Sequence, residues 1–111
     1  MRHRLVRQGE IRRRLDTVGT VARYVMVLSG PNHLAADTGR VVVCRVVPGT
    51  LPEDFVAGVQ RVSYTDDNGV TTNGIAVPEL IEWYPRSALS KPVGLATNVQ
   101  ACLSLVKALF V

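Results

Sequence analysis

The chain has 111 residues, with 47% hydrophobic and 20% charged side chains, the balance of one compact globular domain rather than a disordered segment. No apolar run approaches the roughly 18 residues that span a bilayer, and the Met1-Arg2-His3-Arg4 start lacks the apolar stretch of a secretory signal. The net charge of +4 is concentrated at one end, because residues 1–14 hold six arginines against one glutamate, while the remainder is close to neutral.

That basic end suits a phosphate backbone or an acidic protein partner, or is simply a solvated, frayed terminus. Residues 1–8 read as loosely ordered. Gly9-Glu10-Ile11 opens a possible strand, which the arginines at 12–14 disfavour extending. Leu15 to Ala22 reads as a loop. Ala22 to Leu28 is the first strong strand, rich in β-branched and aromatic residues and stopped by Ser29-Gly30-Pro31. His33 to Ala36 has room for one helical turn before the turn signal Asp37-Thr38-Gly39.

Arg40 to Val47 is a nearly continuous valine strand, expected to be buried on both faces at its centre and ended by Pro48-Gly49. Pro52 to Asp54 reads as a turn or a short helical start. Val59 to Thr65 alternates, with Arg61 and Ser63 on one face and Val62 and Tyr64 on the other. Asp66-Asp67-Asn68-Gly69 is a hairpin turn, and Val70 to Val77 is its returning strand, with a bulge expected at Asn73-Gly74. Glu79 to Tyr84 forms a further extended segment. Pro85 and Pro92 bracket a connector with one turn of helix.

The clearest helix is the last, with Thr97 or Asn98 as its cap and an apolar stripe of Val99, Cys102, Leu103, Val106, Leu109 and Phe110. Residues 1–111 therefore read as a single, mostly β (α+β) domain: a small, strongly bent antiparallel sheet or partly open barrel closed by a helix.

Enzyme classes can be sorted by what is missing. The sequence holds no Gly-rich phosphate loop, no Gly-x-Ser-x-Gly elbow and no His/Cys/Asp cluster with metal-ligand spacing, so neither cofactor nor metal is expected. Cys44 and Cys102 read as two buried thiols of a reducing cytoplasm. His33 is the one histidine outside the basic end, able to act as general acid or base or to sit on the surface.

The order of weaker signals is more telling. Gly9-Glu10-Ile11 leads to an arginine-rich loop, to Arg23-Tyr24-Val25-Met26-Val27-Leu28-Ser29, then to Val41 through Pro48. Ala76 to Leu89, Val93-Gly94 and an amphipathic final helix follow. This order resembles the MazF/PemK toxins of type II toxin–antitoxin pairs, across roughly residues 7 to 110. The resemblance implies a homodimeric SH3-like barrel, a cytoplasmic location with no membrane association, and a cognate antitoxin with an acidic tail. It further implies metal-independent cleavage of single-stranded RNA. Arg23 falls on the family's catalytic arginine, and Val47 on its threonine, with Thr50 three residues on. Thr50 and His33 are then secondary catalytic candidates. Arg12, Arg13 and Arg14 would track the RNA backbone, with Tyr24 as a base-stacking candidate. The alternative is a chain without cleavage that binds a protein target such as gyrase or titrates antitoxin.

Overall fold

The computed structural model describes residues 5–15, 23–49, 60–66, 68–96 and 99–110. Six strands are built in the order β1 (Glu10–Arg14), β2 (Tyr24–Val27), β3 (Arg40–Pro48), β4 (Gln60–Thr65), β5 (Thr71–Pro85) and β6 (Leu89–Leu95). A short helix, α1 (Pro31–Ala35), follows β2; one 3-10 turn, Arg86–Ala88, follows β5; and α2 (Gln100–Ala108) ends the fold. All strand pairings are antiparallel, in the spatial order β4-β5-β3-β2-β1-β6. The result is the expected partly open, strongly curved half-barrel with a C-terminal helix.

The valine-rich strands explain why the sheet has two buried faces. Alternate residues of a strand point to opposite sides. On the inner side Ile11, Tyr24, Met26, Cys44, Val46, Val62, Tyr64 and Ala76 form one core, closed by Cys102 of α2. On the outer side Val25, Val27, Val41 and Val43 form a second, smaller core under Val6, Leu34, Tyr84 and Leu89. The stripe on α2 is used for half its length. Val99, Leu103 and Val106 pack on the inner core, whereas Leu109 and Phe110 are exposed.

The barrel closes where its two outer strands touch. β4 and β6 are not hydrogen-bonded neighbours. They approach so closely at Gly94 that a Cβ there would lie 2.5 Å from the Ser63 carbonyl oxygen and 3.1 Å from Tyr64 Cβ. Only glycine fits without moving backbone.

Several expectations shift. Residues 5–8 are docked, with Val6 buried and Gln8 Nε2 donating to the Leu28 carbonyl at 2.9 Å. β1 runs straight through the arginines. The expected bulge at Asn73-Gly74 is absent, and Gly74 pairs regularly with Pro48 and Val62. Its missing side chain makes room for Tyr64 and Val46, each 2.9 Å from where a Cβ would stand. The register slips instead opposite Cys44 and Arg45, where Pro78–Leu80 are extra residues in β5. That slip joins two expected segments into one strand of 15 residues. The connector between Pro85 and Pro92 keeps its expected helical turn, as the 3-10 turn Arg86–Ala88, and then enters a strand that was not expected, β6. The readings for 16–22 and 50–59 and the caps at Thr97 and Asn98 lie outside the described residues. The helix starts after Val99 without a side-chain cap.

Candidate functional site: a row of arginines across the sheet

Arg23 stands immediately before β2, exposed, and its carbonyl oxygen accepts the Arg14 N–H at 2.9 Å. One step beyond the Tyr24–Val46 pair, the register sets Arg23 across from Val47. Val47 pairs with Ile75, and Ile75 pairs with Arg61. Cross-strand partners share a face. The row Arg14–Arg23–Val47–Ile75–Arg61 therefore runs transversely over the outer face of five strands. Neighbouring strands lie about 4.8 Å apart, so Arg23 and Arg61 are separated by about 14 Å along the sheet.

The side chains in this row differ in how far they are engaged. Among the described residues no hydrogen bond or ion pair holds the guanidinium of Arg23 or of Arg61. Arg14 is half-buried, with its guanidinium carbon 4.4 Å from the centre of the Tyr84 ring. Arg45 lies on the same face one step inward and approaches Glu82 at 3.5 Å. Val47, 39% exposed, presents methyl groups beside Arg23 and so offers no side-chain hydrogen-bond donor there.

The expected three-arginine surface is not what the fold builds. Consecutive strand residues must alternate, so Arg13 points to the inner face and Arg12 and Arg14 to the outer one. Arg12 is only 2% exposed. Its guanidinium is held by Glu10 at 2.7 Å, the Ser90 carbonyl at 2.8 Å and the Leu5 carbonyl at 3.2 Å. No face of it is left for a phosphate. Tyr24 is not on the surface either. It is 7% exposed and packs its ring 4.4 Å from that of Tyr64.

His33 sits at the other end of β2, with its Nδ1 2.8 Å from Ser29 Oγ, which also accepts the Val42 N–H at 2.8 Å. Six residues of extended chain, about 20 Å, separate Ser29 from Arg23, so the fold does not bring His33 to the arginine. Thr50 lies outside the described residues; β3 ends at Pro48 on the Arg23 side of the sheet.

Beside Arg61, the β4–β6 junction carries a cavity of about 490 Å³ whose lining includes Arg61, Val62, Ser63, Asn73, Leu95 and Ala96. Ser63 Oγ donates to Asn73 Oδ1 at 3.1 Å. The alternation in residues 59–65 placed Arg61 and Ser63 together. Nothing in the sequence placed that face beside Arg23, because the link runs through strand order.

A family model described as type II toxin-antitoxin system toxin Rv0299 matches residues 9–109, from the start of β1 to the end of α2. The chain belongs to this family. It is similar to Toxin Rv0299 of Mycobacterium tuberculosis (strain ATCC 25618 / H37Rv), with 40% identity over 92 residues, 83% of each chain. This is thus the toxin of a type II toxin–antitoxin system, and a cognate antitoxin is its partner. Among the described residues of the toxin, no helix is long and apolar enough to cross a membrane.

Proposed function

We propose that this toxin is a metal-independent endoribonuclease of the MazF/PemK type, a cytoplasmic homodimer that cleaves single-stranded RNA and is held in check by an acidic antitoxin tail. The observation that carries this reading is the exposed guanidinium of Arg23, held by no hydrogen bond or ion pair among the described residues and set beside Arg14 at the end of the β1–β2 ladder. In cleavage by this route the ribose 2′-oxygen attacks phosphorus, the bond to the 5′-oxygen breaks, and a 2′,3′-cyclic phosphate remains. The proton leaves the 2′-hydroxyl for a base, and the departing 5′-oxygen takes one up. Negative charge grows on the non-bridging oxygens between these events. A planar guanidinium binds two such oxygens at once and stays charged throughout. Arg23 supplies that charge. Thr50, two residues past the end of β3 and three past Val47, is the hydroxyl nearest in sequence to the position of the resembling family's threonine. An acidic tail on the same arginines would exclude RNA by charge alone.

Labelled single-stranded RNA incubated with purified toxin and a chelator tests this. Cleavage is expected, and Arg23→Ala should lower kcat by about 10²–10³, as for loss of one transition-state donor. Wild-type cleavage by Arg23→Ala, with circular dichroism showing an intact fold, would sink the assignment.

A second reading has one specific observation in its favour. Val47 puts an apolar surface where the resembling family has threonine. A toxin that binds and blocks a protein, or that titrates antitoxin, needs no hydroxyl there. Growth arrest with intact cellular RNA would select it.

A further inference from the structure

The cavity at the β4–β6 junction belongs to no part of the site proposed above, yet two residues of its lining, Arg61 and Asn73, share the outer face with Arg23. The geometry points to a nucleotide subsite there, in which Arg61 holds a backbone phosphate of single-stranded RNA and Asn73 reads the edge of the adjoining unpaired base. The inference rests on the RNA reading of the toxin.

Three features carry it. The first is alignment. Arg61 and Arg23 occupy one transverse row, about 14 Å apart along the sheet, so the row carries an exposed cation on β4 and another at the head of β2. Between them Val47 is exposed and Ile75 is buried, and neither carries a charge. The second is polar geometry. Ser63 Oγ–H is directed at Asn73 Oδ1, which fixes the amide orientation and leaves Nδ2 as a donor with no partner among the described residues. A donor so placed suits a base that turns an acceptor toward it, and unpaired RNA bases are read through such edges. The third is shape. The cavity volume of about 490 Å³ falls within the roughly 300–1,000 Å³ of small-ligand sites. Leu95 and Ala96 supply an apolar wall for a base, opposite the polar wall of Ser63 and Asn73.

The test compares the parent toxin with Arg61→Ala and Asn73→Asp, with Arg23→Ala as the marker of the chemistry. Both new positions are exposed, so the fold should survive. Arg61→Ala is expected to raise KM about five- to tenfold with kcat within about twofold, and to reduce the slope of log affinity against log salt by about 1. Asn73→Asp keeps the acceptor for Ser63 and replaces the donor by an acceptor. It should change the preferred base at one fixed position relative to the cut. Unchanged KM, salt slope and base preference, with Arg23→Ala inactive, would overturn the subsite and leave the nuclease standing. If the parent cleaves nothing, the nuclease reading falls, and anisotropy of a fluorescent oligoribonucleotide decides the subsite alone. Binding that weakens in Arg61→Ala supports it; equal binding by both proteins, or none by the parent, overturns it.

Discussion

Glu10 Oε1 and Arg12 Nη2 lie 2.7 Å apart, with side chains only 10% and 3% exposed. Two residues apart in β1, they share its outer face, and a second bond from Arg12 Nε to the same oxygen at 3.1 Å locks the pair. Glu10 Oε1 also accepts the Arg7 N–H at 2.9 Å, tying the docked terminal segment to the strand. Removing one partner strands the other as a buried charge, which costs about 3–5 kcal/mol. Glu10→Gln should therefore lower the urea midpoint sharply. The double change Glu10→Met with Arg12→Leu should recover most of the loss. A Glu10→Gln midpoint equal to wild type would show that the pair is not buried in solution.

The Gly94 contact sets a second expectation. A methyl group 2.5 Å from the Ser63 carbonyl oxygen must push β4 away from β6. Gly94→Ala should destabilise the toxin by at least the ~1–3 kcal/mol typical of overpacking. Gly69→Ala is the comparison, since nothing lies within 4 Å of that position and its penalty comes only from a φ of 77°. Equal melting temperatures for Gly94→Ala and the parent would mean that the strands do not meet there.

The β4–β5 hairpin should titrate in acid. The Asp66 carboxyl sits below its ordinary value of 3.8, chiefly because it accepts the Val70 N–H and then the Thr72 hydroxyl, with the Asn68 N–H adding to both. A folded value below the unfolded one stabilises the native state above the unfolded value. That contribution is lost as pH falls through the folded value. The amide resonances of Asn68 and Val70 should move together below pH 3.8. In Asp66→Asn that shared transition should vanish. If it persists, another carboxyl is responsible.

Cys44 and Cys102 should be inert in the native toxin. Burial, with a smaller contribution from Cys102, pushes the Cys44 thiol up to about 12, and burial raises Cys102 as well. Both remain protonated at pH 8, and the thiolate is the reactive form. A thiol reagent should label neither residue until denaturant is added, then label both. Rapid labelling of the folded protein would mean that α2 lifts off the inner core.

The sheet was readable because its strands are dense in valine and bounded by Pro, Gly and Asx turns. Arg61 and Ser63 out, with Val62 and Tyr64 in, is alternation and nothing more. β6 was hidden because Pro92 and Gly94 weaken its strand signal, and its pairing with β1 comes from outside its own segment. Three successive arginines carry no periodicity, so their division between two faces, and the burial of Arg12 with Glu10, could emerge only from the register. The site was half legible for the same reason. Arg23 stood out by its place before a strong strand. Arg61 and Asn73 become its neighbours only because β5 and β3 lie between β4 and β2.

The touching but unladdered pair β4 and β6 leaves the half-barrel with a lengthwise slit. Opening it separates side chains without breaking a strand ladder, so the ring's girth is its softest dimension. The cavity lined by Arg61, Asn73 and Leu95 lies on that slit, and an occupant there would bridge its two lips. Hydrogen exchange along β4 and β6 should then slow together whenever the cavity is filled.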